Sequence, residues 1–231
     1  MISVVIRARN EESWIGRVMF ALNHQRAQDL DVILVDNDST DNTADIAESH
    51  GAKILTISRS DFSFGRAINR GIEIAKFETV AILSAHCIPV NDLWADYMES
   101  NFRDQIGLPH INKRICGVYG RQEPLPDTDS FDQRDLWTTF REERIHQHKD
   151  YFFHNGNSAV LKSIWREHPF DEDLQGVEDR EWAKRMIGLG HTIVYEPNAR
   201  VYHHHGIHHG RNRERAQRVA SVIEVIRSSS K

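Results

Sequence analysis

The first 83 residues alternate short apolar runs with amphipathic stretches, and this alternation constrains the fold more than any other feature. Residues 2–6 (ISVVI) form an apolar run of strand length, and residues 12–24 carry Ile15, Val18, Met19 and Leu22 at helical spacing. Residues 32–35 read as a second buried strand, followed by a helix over 42–50 that is entered through the capping sequence Ser39-Thr40-Asp41. A strand at 53–56, a helix at 64–75 and a strand at 80–83 continue the series. Strands and helices alternating at this length predict a parallel, doubly wound α/β sheet with helices on both faces. Ligands of such sheets bind at the carboxyl ends of the strands. Two polar clusters fall there, Asp36-Asn37-Asp38 and Ser84-Ala85-His86. Asx and Ser residues also cap turns, so each cluster alone has an ordinary structural explanation. Their position on one edge of one sheet is what points to a binding cleft.

From about residue 93 the pattern changes. A helix is expected over 93–106, a strand over 115–119, a proline- and aspartate-rich loop over 124–132, and a polar stretch over 131–149 that is either helical or mobile. A strand at 158–161, a helix at 178–189 and a strand at 192–195 follow. With 39% hydrophobic residues and no linker or repeat, 231 residues suit one domain over 1–206 with two functional halves, 1–92 and 93–206. Residues 207–231 form a basic helix or tail ending in Ser228-Ser229-Ser230-Lys231, which reads as a cut linker.

Several classes are disfavoured. No run approaches the ~18–20 apolar residues of a membrane-spanning helix, and the start lacks a signal-peptide pattern. The expected location is therefore cytoplasmic, or peripheral to the inner face of a membrane. Cys87 and Cys116 form no CxxC pair and suggest no disulfide framework. A net charge of −5 argues against a nucleic-acid partner. The charge is uneven: Arg200, Arg211, Arg213, Arg215 and Arg218 accompany five histidines between 203 and 209. This basic tail either touches phospholipid or a phosphorylated acceptor, or is a solvated helix face.

The order of the motifs says more than any one of them. Val4-Val5-Ile6 leads to Arg9-Asn10-Glu11-Glu12, and Val35-Asp36-Asn37-Asp38-Ser39-Thr40-Asp41 follows. This resembles the opening of the family-two glycosyltransferases of GT-A fold, whose usual second stretch is V-D-D-G-S-T-D. The resemblance continues through Asn69-Arg70-Gly71, Leu83-Ser84-Ala85-His86 and Glu178-Asp179 to Arg185, Gly190, Tyr195, Pro197 and His203, covering residues 2–206. Residues 62–71, 85–89 and 120–122 look most like the bacterial rhamnosyltransferase-like branch. The resemblance implies transfer of a sugar from a nucleoside diphosphate donor to an acceptor hydroxyl, by single displacement with inversion. It further implies an acceptor that is a growing bacterial surface polysaccharide or a related glycan or lipid-linked glycoconjugate.

The same resemblance distributes roles. The nucleotide is expected at Asp36, Asn37 and Asp38, at backbone groups near Arg7 and Ala8, and at Asn10, Glu11, Arg66, Asn69, Ser84 and Ala85, with His86 beside the diphosphate. A carboxylate at a strand end can accept from base N–H and ribose hydroxyl groups; Asp36 alternatively only organises its turn. Relatives hold Mg²⁺ or Mn²⁺ with an acid-any-acid motif after the fourth strand. Ser84-Ala85-His86 has lost both acids, so a hard cation loses its carboxylates. His86 with His203 or His205 offers nitrogen ligands instead, which favours Mn²⁺ over Mg²⁺. The rival account is metal-free, with His86, Arg66 or Arg121 neutralising the diphosphate, or a merely structural His86. Alternate residues of an extended segment share a face, so His203 and His205 point together and His204 opposes them. Asp179 takes the place of the family's general base, Glu178 holds an acceptor hydroxyl or orients a neighbour, and Arg185 pairs with either acid or with the phosphates. Acids in a first helical turn are also favoured by the helix dipole alone.

Two further readings differ in kind. A sugar nucleotidyltransferase would carry a glycine-rich phosphate loop near the first strand, and Arg7-Ala8-Arg9-Asn10-Glu11 has no glycine. A catalytically silent glycan- or nucleotide-binding domain would suit the lost acids after the fourth strand, but not the intact Glu178-Asp179 pair.

Overall fold

A computed structural model describes every residue except 28, 106–113, 175, 207–220 and 222–231. The alternation of the first third becomes β1 (Ile2–Ala8), α1 (Glu12–Asn23), β2 (Leu30–Asp36), α2 (Thr43–Ser49), β3 (Lys53–Thr56), α3 (Phe64–Ile74) and β4 (Thr79–Ser84). On α1, Ile15, Val18, Met19 and Leu22 are the buried residues, as the helical spacing requires. Each is worth about 1.5–3 kcal/mol when fully removed from water. Helix α3 packs on β1 and β2. It lies this close because residue 71 is glycine: a Cβ there would stand 2.3 Å from Cγ1 of Val5. The buried Lys162 ammonium donates to the carbonyls of Glu73 and Ala75, at 2.9 and 2.6 Å, and so closes the end of α3.

The remaining elements are β5 (Cys87–Pro89), α4 (Trp94–Ser100), a 3₁₀ turn (Arg103–Gln105), β6 (Ile115–Pro124), α5 (Ser130–Thr139), β7 (Ile145–Gln147), β8 (Asn157–Leu161), α6 (Lys162–Glu167), α7 (Glu178–Gly188) and β9 (Thr192–His203). The described strands form one nine-stranded sheet in the order β3-β2-β1-β4-β8-β6-β9-β5, with β7 added to β9. Helices flank it, and the α/β class expected from the sequence holds.

The parallel order expected from the first 83 residues holds for the strands formed there, and directions mix beyond them. Strands β3, β2, β1 and β4 are parallel, but β8 runs antiparallel to both β4 and β6, and β5 and β7 run antiparallel to β9. The short β5 and β7 carry too few residues for a periodic signal. The stretch 131–149 resolves into α5 and β7, and the loop expected over 124–132 is shortened by β6 before it and α5 after it. The last strand continues eight residues beyond Tyr195, to His203. Strands β6 and β9 approach closely at Gly120, where a Cβ would meet the carbonyl oxygen of Ala199 at 2.0 Å. No described helix is long and apolar enough to cross a membrane. The basic segment 207–231, with its arginines and its membrane contact, lies outside the described residues apart from position 221, as does Ile106.

Candidate active site

Two loops at the carboxyl ends of β1 and β2 are tied together before any ligand arrives. Asn10 sits at φ 53°, a left-handed conformation that Asn tolerates better than most residues. From there its Oδ1 accepts from the Thr40 N–H at 2.8 Å, while its own N–H donates to the Ser39 hydroxyl at 3.0 Å. Glu12 accepts from the N–H and the Nδ2 of Asn42, and the Glu11 N–H donates to Thr43 Oγ1 at 2.7 Å. Asp36 is buried, and both of its oxygens accept from Ser39, from the N–H at 3.0 Å and the hydroxyl at 2.5 Å. Its carboxylate therefore organises the turn. Asp38 is also left-handed, at φ 51°, and pairs with exposed Arg59 at 3.5 Å.

These ties shape a pocket of about 310 Å³. Of the residues expected at a nucleotide, Arg7, Ala8, Glu11, Asn37, Ser84 and His86 line it together. Asn37 is buried, and its Oδ1 has no hydrogen-bond partner among the described residues. Phe62 and Phe64, in edge contact at 5.3 Å, form an aromatic wall, and the Arg7 guanidinium lies 4.9 Å over the Phe64 ring. Asn10, Asp36 and Asp38 are not among the lining residues, and Ala85 is wholly buried, its N–H on the Arg7 carbonyl.

His86 has a second set of neighbours. Antiparallel pairing of β5 with β9 puts Cys87 opposite His203, so the loop carrying His86 meets the end of the last strand. The His86 and His203 rings are stacked at 5.2 Å, and His205 lies 4.8 Å from the first and 4.4 Å from the second. One ligand atom from each of the three imidazoles can be chosen so that all lie within 4.8 Å of one another. His204, just past the end of β9, is exposed and packs against Trp14 at 4.5 Å. Glu11 accepts or shares a proton at His86 Nδ1, 2.8 Å away, which leaves Nε2 of that ring for a ligand. This donor set fits a divalent transition metal: three imidazoles, one of them oriented by a carboxylate.

The third component is the acid pair at the start of α7. Glu178 is buried; its Oε1 lies 3.5 Å from Asn155 Nδ2, and its Oε2 has no partner among the described residues. Burial, then the charge of Asp179, push its pKa up to about 7. Asp179 accepts from the backbone N–H groups of Asn155 at 3.2 Å and Arg180 at 2.7 Å. Burial raises its pKa too, against the opposing charges of Arg180 and Arg7. Arg7 thus lines the pocket and acts electrostatically on both acids, which joins the two parts of the site.

Several expected residues lie elsewhere. Arg185 pairs with neither Glu178 nor Asp179. It reaches one turn back to Glu181, with both contacts at 3.0 Å, and donates to the Pro169 carbonyl. Arg66 and Asn69 line a separate cleft. Asn69 staples the chain around residue 170: its Nδ2 donates to the Phe170 carbonyl and Glu172, and its Oδ1 accepts from Trp165 Nε1 and the Phe170 N–H. Arg66 is paired with Glu172 at 2.8 Å, and Arg121 with Glu123 and Glu142, so both cations of the metal-free account already have carboxylate partners. Sequence reasoning passed over Arg9, Phe62 and Phe64 in the pocket wall, although two phenylalanines flanking the Ser63 cap were a visible signal. It also passed over Asn155, whose side chain is fixed by the Ser158 hydroxyl at 3.0 Å and which meets both acids.

Comparisons with known proteins bear on the family and the fold. Residues 3–168 match the family described as Glycosyl transferase family 2. The chain is 28% identical over 196 residues to the O-antigen chain rhamnosyltransferase WbaN of Salmonella anatum, an alignment covering 80% of this chain and 60% of that protein. Among solved structures, S. aureus TarS 1-349 in complex with UDP-GlcNAc superposes with a TM-score of 0.66 at 16% identity, over 87% of this chain and 57% of that one. The mannosyltransferase PcManGT from Pyrobaculum calidifontis, in complex with GDP-Man and Mn²⁺, superposes with a TM-score of 0.61 at 17% identity, over 87% and 56%. The chain thus spans about 60% of the length of these relatives. With the family matched across well over half of its residues, the chain belongs to glycosyl transferase family 2.

Proposed function

We propose that the protein transfers a sugar from a nucleoside diphosphate donor to an acceptor hydroxyl, with inversion, in the assembly of a cell-surface glycan. The observation that carries this reading is the double membership of His86, which lines the nucleotide-sized pocket and belongs to the three-histidine cluster. A donor with its base against Phe62 and Phe64 would run its diphosphate toward that cluster. Similarity to WbaN supports a surface-polysaccharide acceptor, and the UDP-GlcNAc and GDP-Man complexes of the structural neighbours support a nucleotide-sugar donor.

His86, His203 and His205 would hold a divalent cation, Mn²⁺ in preference to Mg²⁺, which when bound supplies positive charge for the leaving diphosphate. Asp179 takes the acceptor's hydroxyl proton as the oxygen attacks the anomeric carbon, and the bond to the diphosphate oxygen breaks with its electron pair. Two backbone N–H groups fix the Asp179 carboxylate, and its raised pKa makes it a stronger base than a free aspartate. Glu178, with one oxygen unengaged, orients the acceptor hydroxyl.

The test is thermal-shift screening against nucleoside diphosphates and nucleotide sugars, followed by donor turnover with and without glycan acceptors. A ligand at one hundred times its Kd stabilises by about 2.7 kcal/mol, so a preferred nucleotide is readily seen. One or two nucleotides should stand out and their sugar conjugates should turn over. Silence across the panel would remove the donor pocket from the account.

A further inference from the structure

A larger concavity of about 1070 Å³ opens beside α7, outside the donor pocket. Arg141, Lys149, Arg180 and Lys184 line it, against one lining carboxylate, Asp150. Cations nearby are neutralised: Arg121 by Glu123 and Glu142, Arg144 by Glu196, and Arg185 by Glu181. Among the described residues, the four that line the cleft make no ion pair within 4 Å. His146, on the same wall, is held below the ordinary histidine pKa by burial first and then by Arg144 and His148. Arg180 is steered into the cleft by the Phe152 ring, 5.0 Å from its guanidinium carbon.

The cleft adjoins the acid pair through the chain itself. Arg180 follows Asp179 directly, and the wall at Tyr151 and Phe152 leads in three residues to Asn155, whose N–H holds Asp179. Unpaired guanidinium and ammonium groups converging on a partly aromatic cavity suit a multiply charged oxyanion on an organic carrier. The geometry points to this cleft as the binding site for a phosphate or diphosphate ester carried by the acceptor, seated so that the acceptor's hydroxyl lies at Asp179. The inference rests on the reading of Asp179 as the base.

Titration calorimetry on the full chain, with neither donor nor divalent metal present, tests it with two probes: inorganic pyrophosphate and farnesyl diphosphate. Both should bind the wild type. The paired variant Lys149→Ala/Lys184→Ala should weaken each at least about tenfold, the usual worth of charge-assisted hydrogen bonds, while Lys149→Arg/Lys184→Arg retains most of the affinity. Tighter binding of farnesyl diphosphate than of pyrophosphate identifies a lipid-linked acceptor, and equal binding a soluble phosphorylated glycan. Failure of both probes to bind the wild type, or equal affinity in the alanine pair, overturns the proposal. Cleft-dependent binding by a protein that transfers no sugar would sink the proposed function and leave the anion site standing.

Discussion

Strands β3, β2, β1 and β4 lie parallel, with the connecting helices α1, α2 and α3, whereas the half built from β8, β6, β9, β5 and β7 mixes directions. In the first half the site is assembled from loops about one βα unit apart: Asn10 bonds Thr40, and Glu11 bonds Thr43. In the second half the site is assembled by strand pairing across the sheet and by a second, shorter connection. His86 meets His203 through the β5–β9 ladder, and Asn155 meets Glu178 and Asp179 across β8 and α6. The first half thus supplies the residues that line the pocket, and the second supplies the acid pair and two of the three clustered histidines.

If that division holds, its largest consequence is at Asp179. Asp179→Asn keeps the shape of the helix start but removes the proton acceptor, so turnover should fall on the order of 10²–10⁴-fold. Nucleotide affinity, measured by calorimetry on the same variant, should stay near that of the wild type. A variant that kept most of its activity would move the base to Glu178 or Glu181.

Asn69 sharpens the comparison from the other side, because it lies in the first half yet serves the fold. Asn69→Ala removes four hydrogen bonds and leaves buried partners on Trp165 and Phe170 unmatched. Denaturant unfolding should show a loss of about 2–4 kcal/mol, with little change in nucleotide affinity. A large affinity loss at unchanged stability would return Asn69 to the donor site.

A smaller effect is expected at Glu178, and it depends on pH. With its pKa at about 7 in the folded protein, Glu178 holds a proton that the unfolded chain has already released. Its contribution to stability is therefore complete below the ordinary glutamate pKa and is lost as pH rises through about 7. Glu178→Gln removes that loss, so the variant should gain about 1–3 kcal/mol on the wild type at pH 8 and little at pH 4. Parallel pH–stability curves for the two proteins would contradict a buried, proton-holding glutamate.

The same contrast explains what could be read from the sequence. The alternation of the first 83 residues is local, and α1 buries the four residues its spacing named. The pocket was legible through Arg7, Asn37 and His86, which sit at strand ends. Arg66 and Asn69 line a separate cleft because packing sets their partners, Glu172 and Phe170, whereas Arg185 pairs within its own helix with Glu181. His203 and His205 come together as an extended segment was expected to bring them, although β9 itself ends at His203. Their meeting with His86 needed β5, three residues that give no periodic signal.

The central claim is that the donor diphosphate is held where the pocket meets His86, His203 and His205. It is tested most directly by turnover of chelator-treated protein with Mg²⁺, Mn²⁺, Co²⁺ or Zn²⁺ added back singly, alongside His86→Ala. The account predicts that chelator abolishes turnover, that Mn²⁺ restores the wild type far better than Mg²⁺, and that no ion restores His86→Ala. Full activity in chelator, or a His86→Ala variant as active as the wild type, would contradict it.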